Sequence, residues 1–424
     1  MTNMKHFLIS VAMAGVLALC MQSCSKDDGP AGPSIPTMAD RTVIVYMSGE
    51  NNLSSFFQAD LDEMVTGMKS VSSNTNLVAY IDHSNSTHKP YIVRISNDAR
   101  QPVDTLYTFT DDFISSDPRV MSEVLQRIIT MCPANDYGLV LWGHGSGWVI
   151  ESDTIATTVT KQGHRAYGVD NGNNSSAQSD LSKWMNIPTL ARTLQQLGTP
   201  WKFIFCDCCN MMNAEVAYEL QRCASYLIAP PSETPGMGAP YTTITKDLFI
   251  KDDATMCQAI CDDFHAQVDR VNGHLPIAAV RLSAMPSLAS ATAAVLPAVN
   301  DWVTANPQMK DVTYYYAYLD QDNEKVMYDM QDVVSRALAD DATAYQNWLN
   351  AYQQAIVYQL GSNLWHANYV SYADMPTFDV SRQGSMSMFF PMQKYEDSVV
   401  KYRYNDLIRH MAWYYAVGWP NLGW

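Results

Sequence analysis

The feature that most constrains the fold is a series of continuous apolar runs alternating with helix-patterned segments. The runs are Thr42–Met47 (TVIVYM), Asn76–Ile81 (NLVAYI), Tyr137–Trp142, Phe203–Phe205, Tyr226–Ala229 and Leu275–Val280 (LPIAAV), with a shorter alternating stretch at Tyr91–Ile95. A strand that is apolar at every position is buried on both faces, which is the situation of a parallel sheet covered by helices. The intervening segments supply those helices. Ser54–Val71 carries Phe57, Leu61, Met64 and Met68 at helical spacing. Asp117-Pro118 sets an N-cap and a first-turn proline for a helix running to Met131. Pro188–Leu197 is a helix closed by Gly198, and Ala254–Val271 is amphipathic. The order predicts an α/β protein, a three-layer sandwich with a mostly parallel sheet, over residues 41–285. Beyond Ser283 the pattern changes. Helices are expected at Leu288–Val303, Val326–Ala339, Tyr345–Leu360 and Leu407–Val417, with strands at Ala367–Tyr372 and Ser385–Phe390. This gives a mixed α+β C-terminal subdomain over residues 286–424, packed on the first.

Reactive groups in such a sheet belong just past the carboxyl ends of the strands. Two stretches put them there. GLVLWGHGSGW (Gly138–Trp148) is a buried strand followed by His144 between glycines. WKFIFCDCCNMMNAEVAYEL (Trp201–Leu220) is a buried strand followed by Asp207, Cys208 and Cys209 and then a helical segment, with Asn210 or Asn213 as its cap. A thiol at a helix N-terminus ionises more readily, and Cys209 is predicted to have that setting, Cys208 approximately so. His144 can move the proton, and the amides near Gly143, Gly145 and Cys209 are candidate donors to a tetrahedral oxyanion. Taken singly, a buried cysteine is more often inert packing and a loop histidine more often incidental; the pairing is what points to thiol hydrolysis. Cys206, Cys208 and Cys209 cannot close a zinc tetrahedron, because neighbouring strand side chains point to opposite faces. No P-loop, HExxH, dinucleotide fingerprint or Gly-x-Ser-x-Gly is present.

The formal net charge of −16 excludes the clustered basic surface that nucleic-acid binding needs. The N-terminus reads as a processing segment. Lys5 and His6 precede an apolar run, Phe7–Cys20, too short to span a bilayer. Met21-Gln22-Ser23-Cys24 resembles a lipobox, with Cys24 as the lipidated residue of an exported outer-membrane lipoprotein exposed at the cell surface, and Cys20 as the runner-up. Residues 25–40, including the Pro/Gly run Gly29–Pro36, form a tether. The odd, irregularly spaced cysteines past Cys24 do not suit a disulfide framework. The polar segment from Val149 to Met185 is too long for a simple connection and reads as a functional or processed loop.

GLVLWGHGSGW together with CDCCNMMNAEVAYEL resembles the clostripain family of cysteine peptidases in the caspase-like clan. Val43–Leu53 (VIVYMSGENNL), Ser232-Glu233 through Gly238 and Tyr241, and Gly384–Pro391 (GSMSMFFP) extend the likeness. The resemblance implies a caspase-like fold, a Cys209–His144 dyad and cleavage after a basic residue, arginine preferred over lysine. Asp207 takes the position that recognises the basic side chain, which suits a carboxylate at the base of a cleft, and Ser232 and Glu233 line the pocket loop. It further implies self-cleavage in the long loop, where Lys161, Arg165 and Lys183 are the basic candidates. Some members use calcium; the sequence offers no EF-hand spacing and no named ligands. Glu50, Asn210 and Ala239 depart from the family's usual residues. A surface binding lipoprotein that has lost catalysis on the same fold is the alternative.

Overall fold

The computed structural model describes residues 38–84, 88–149, 167–172, 183–267, 274–318, 324–365, 377–396 and 403–424. Cys20, Cys24, Lys161, Arg165 and the strand expected at Ala367–Tyr372 lie outside them. In chain order the first half runs β1 (Ala39–Gly49), α1 (Phe57–Met68), β2 (Thr75–His83), β3 (Tyr91–Ile95), β4 (Val103–Thr108), α2 (Pro118–Met131), β5 (Ala134–Trp142), β6 (Tyr167–Asp170), β7 (Lys183–Met185), α3 (Ile187–Gln196), β8 (Trp201–Asp207), α4 (Ala214–Glu219) and β9 (Ala224–Ala229). The second half runs α5 (Tyr241–Asp247), α6 (Asp253–Ala266), β10 (Ile277–Arg281), α7 (Met285–Ala305), β11 (Tyr314–Tyr318), β12 (Glu324–Asp329), α8 (Met330–Ala337), α9 (Ala342–Ala355), β13 (Ile356–Leu360), β14 (Ser387–Met388), α10 (Tyr404–Ile408) and α11 (Ala412–Val417).

A nine-stranded sheet in the order β13-β10-β9-β8-β5-β1-β2-β3-β4 forms the middle layer. Its centre, β9-β8-β5-β1-β2, is parallel, and antiparallel pairs flank it on both sides. Side-chain alternation along β1 explains the two covering layers. Val43, Val45 and Met47 point into a core closed by α1, α5 and α6, while Ile44 and Tyr46 point into a larger core closed by α2, α3, α4 and α7. The fold is the expected α/β sandwich.

Local departures have local causes. The edge strand β4 went unforeseen because its exposure alternates irregularly and it carries no apolar run. The segments read as helical at Val326–Ala339 and Tyr345–Leu360 each divide. Val326–Asp329 belongs to β12, and Asp329 then caps α8 by accepting the Asp332 amide at 2.9 Å. Ile356–Leu360 is β13, whose Ile, Val and Tyr suit a strand; it pairs antiparallel with β10 and closes one edge of the main sheet. The last helix is also two, α10 and α11.

Candidate active site

β5 and β8 lie side by side and parallel, with Leu141 opposite Cys206 and Trp142 opposite Asp207. Two residues beyond the last pair, one chain carries His144 and the other Cys209. Adjacent strands sit about 4.8 Å apart, so equal overhangs from paired positions bring the two loops together at one end of the sheet. The loops also touch through backbone. A Cβ on Gly145 would lie 2.5 Å from the Cys209 carbonyl oxygen and 3.3 Å from its amide nitrogen. Gly147, at φ +63°, presses in the same way on the Asn210 carbonyl. Gly145 and Gly147 are there because the cysteine loop leaves no room for a side chain, whereas a Cβ on Gly143, at φ +142°, would meet the Ser48 carbonyl of β1 at 3.1 Å.

Of the three clustered cysteines, Cys206 and Cys208 are buried in the core, at 0% and 2% exposure, and Cys209 alone is partly exposed. The Thr234 amide donates to its Sγ at 3.3 Å, and Sγ reaches back toward the Thr234 carbonyl at 3.7 Å. The helix expected at the thiol is displaced. Asn210 takes a left-handed conformation (φ 60°), and its amide is held by the Ser232 carbonyl at 2.9 Å. Asn213 is extended (φ −132°, ψ 154°), and α4 begins only at Ala214. Burial, followed by the nearby Glu233 charge, pushes the Cys209 thiol up to about 12, against the Thr234 amide, which lowers it. The expectation of a thiol at a helix N-terminus is therefore corrected: the helix starts only at Ala214, and burial favours the neutral thiol.

His144 is partly exposed, its Nε2 lies 2.6 Å from Asn52 Oδ1, and its ring meets Trp184 of β7 with centroids 5.9 Å apart. The Gly143 amide donates to the Asp207 carbonyl at 3.3 Å. That engagement removes Gly143 from the expected oxyanion donors. Ser232, fully buried, spends its carbonyl on Asn210 and its hydroxyl on the Glu233 carbonyl at 3.3 Å; it supports the cysteine loop.

Asp207 turns into the opposite core from Cys206 and Cys208. It is 3% exposed. Oδ2 accepts the Tyr241 hydroxyl at 2.9 Å, while Oδ1 is buried with no hydrogen-bond partner. Gly238, at φ +62°, brings the pocket loop so close that a Cβ there would lie 2.8 Å from Oδ2. Burial pushes this carboxyl up to about 6, against the Ala239 amide and the Tyr241 hydroxyl, which lower it. Beside it, Asp60 of α1 accepts the Trp142 indole N–H at 2.6 Å and is pushed up to about 8, by burial first and then by the Asp207 charge. Burial thus favours the protonated form at both carboxyls, more strongly at Asp60 than at Asp207.

A model of the clostripain family matches residues 45–424. The chain belongs to the clostripain family. Among solved structures, a secreted C11 cysteine protease from Bacteroides thetaiotaomicron in complex with an irreversible peptide inhibitor is 26% identical, with a TM-score of 0.71 over 90% of this chain and 99% of that one. An inactive zymogen C11 protease from Parabacteroides distasonis is 24% identical, with a TM-score of 0.69 over 91% and 99%. No curated protein matches the chain in sequence. The protein is a cysteine protease of caspase-like fold.

Several residues of the protease's site went unread in the sequence. Asn52, Asp60 and Thr234 are ordinary polar residues of turns and helix, and only the sheet order brings them to His144, Asp207 and Cys209. Lys183 falls in the stretch expected to be a functional or processed loop. It lies in β7, paired with Asp170, its side chain exposed and its carbonyl held by the Ser116 hydroxyl at 2.8 Å, one residue from the indole that meets His144. Glu50, Asp82 and Asp112 also converge, each offering a carboxylate oxygen within 4.8 Å of the others. An all-oxygen set of that kind fits calcium chemistry, at residues the sequence reading had not assigned as ligands.

Proposed function

We propose that this protease cleaves peptide bonds after a basic residue, arginine preferred, with Cys209 as nucleophile and His144 as proton carrier. The observation that carries the reading is the pair of equal overhangs on β5 and β8, with Cys209 the partly exposed member of its cluster. Since burial favours the neutral thiol, attack and deprotonation go together. His144 takes the thiol proton as sulfur bonds to the substrate carbonyl carbon. The amides of Gly145 and Cys209 are the candidate donors to the oxyanion. The tetrahedral intermediate then collapses, the C–N bond breaks, and the imidazolium gives its proton to the leaving amine. Water, deprotonated by His144, attacks the resulting thioester and frees the thiol with a carboxylate product.

Asp207 is the residue we assign to the basic side chain. A buried carboxylate whose charge burial disfavours is complementary to a guanidinium, which presents paired N–H groups and a balancing charge. Glu233 adds negative charge near the thiol, on the same pocket loop.

The lipid anchor at Cys24, surface export and self-processing rest on the sequence. Export is supported by a structural relative described as secreted, and processing near β7 by the contact of Trp184 with His144. One experiment tests the core of the reading. Wild type should cleave arginyl peptides and convert to two fragments, whereas Cys209→Ala and His144→Ala should do neither. Cleavage by Cys209→Ala at the wild-type rate would remove the assignment, and a wild-type chain that is active while still intact would remove self-processing.

A further inference from the structure

We propose that Asn52 is a positioning residue for His144: its side-chain oxygen holds the proton on Nε2 and leaves Nδ1 to take the proton from Cys209. The inference rests on the Cys209–His144 reading above and names the third member of that unit.

A neutral imidazole carries one proton, and the partner of one nitrogen decides which atom holds it. Asn52 Oδ1 stands 2.6 Å from Nε2. An amide oxygen only accepts, so this contact places the proton on Nε2 and the lone pair on Nδ1. When Nδ1 then gains a proton, the Nε2–H···O bond becomes charge-assisted and shorter, favouring the imidazolium that must form during attack. The same bond stops the ring from turning away between accepting the thiol proton and delivering it to the leaving amine.

The position of Asn52 is set by more than its own side chain. It sits in the turn that follows β1, and β1 is the neighbour of β5, with Met47 opposite Trp142. Asn51, buried beside it, ties the turn down: its Nδ2 donates to the Ser48 carbonyl at 2.9 Å and the Val169 carbonyl at 2.8 Å, and its Oδ1 accepts the Leu53 amide at 2.8 Å. β6 serves both partners. Val169 holds the turn, and the next amide back, Gly168, donates to the His144 carbonyl at 2.8 Å. One short strand therefore fixes the separation between the histidine and its acceptor. Asn52 itself is exposed and packs no core, so its side chain contributes to orientation rather than to folding.

The test uses the full chain and an arginyl peptide amide, comparing Asn52→Leu, Asn52→Asp, Cys209→Ala and His144→Ala with wild type. Leucine keeps the size and removes the acceptor; aspartate keeps the acceptor. Asn52→Leu is expected to lower kcat by roughly tenfold to a hundredfold, within the usual reach of proton-transfer catalysis, with KM little changed. Asn52→Asp is expected to recover most of that loss. Wild-type kcat in Asn52→Leu overturns the proposal, and so does an equal loss in the aspartate variant, which would make the role one of shape alone. Those outcomes leave the dyad standing. Undiminished cleavage by Cys209→Ala or His144→Ala would instead remove the dyad, and this inference with it.

Discussion

Replacing Asp207, the residue proposed to meet the basic side chain, by asparagine changes its charge and little else. The side-chain volume is kept, and the amide oxygen can still accept the Tyr241 hydroxyl now bound at 2.9 Å. What disappears is the negative charge of a buried carboxylate, which the Ala239 amide and the Tyr241 hydroxyl stabilise only in part against burial. A hydrogen bond to a charged group is worth about 1.5–3 kcal/mol, and each 1.4 kcal/mol is about a factor of ten. Asp207→Asn should therefore lower kcat/KM on arginyl peptides by roughly tenfold to 150-fold, while norleucyl peptides, which have no cation to place there, change little. The pH dependence follows from the same group. Its carboxyl sits at about 6, so wild-type preference for arginine over norleucine should be full above about pH 7 and fade as pH falls through 6. The assay is the ratio of kcat/KM for the two peptides from pH 5 to 8 in both proteins. A ratio that survives the substitution, or that stays flat across that range in wild type, refutes the assignment of Asp207.

Three further outcomes follow from the site and its supports. With its thiol pushed up to about 12, Cys209 in the free enzyme should react slowly with iodoacetamide, the rate rising about tenfold per pH unit between 7 and 9; a plateau below pH 8 would contradict a neutral resting thiol. Gly145→Ala puts a Cβ 2.5 Å from the Cys209 carbonyl oxygen, so the loops must part and kcat should fall by about a hundredfold; near-normal kcat would mean that the backbone contact is not part of the site. Glu215, fully buried, accepts the Phe389 amide at 2.8 Å and is pushed by burial up to about 8. A raised folded pKa means that its contribution to stability is present below about 4.5 and is lost as pH rises through 8, so Glu215→Gln should flatten the fall of Tm over that window; a steeper fall would reverse the sign.

The layers and the parallel centre were legible because strands buried on both faces must read as unbroken apolar runs, and β1, β2, β5, β8 and β9 do. The edges were not, since β4 and β13 have a covered side and an open one and their patterns mimic loop or helix. At the site, the positions of His144 and Cys209 past their strands were readable, but the electrostatics were not. One left-handed residue, Asn210, shifts the helix start to Ala214, and with it goes the thiol's expected activation. The separate matched stretches also acquire a physical link that sequence spacing hides. Ser387 donates its amide to the Met212 carbonyl at 3.0 Å, and Phe389 donates to Glu215. GSMSMFFP thus braces the segment that follows Cys209, and Asn52, in VIVYMSGENNL, reaches His144 only because β1 and β5 are neighbours.

The central claim is that one thiol of a clustered three does the chemistry. Incubating the protein with an arginyl peptide carrying an irreversible thiol-directed electrophile, followed by peptide mapping by mass spectrometry, tests it directly. The account predicts a single adduct on Cys209, formed at a rate that drops when His144 is replaced by alanine. An adduct on Cys206 or Cys208, or labelling of Cys209 that does not depend on His144, would contradict it.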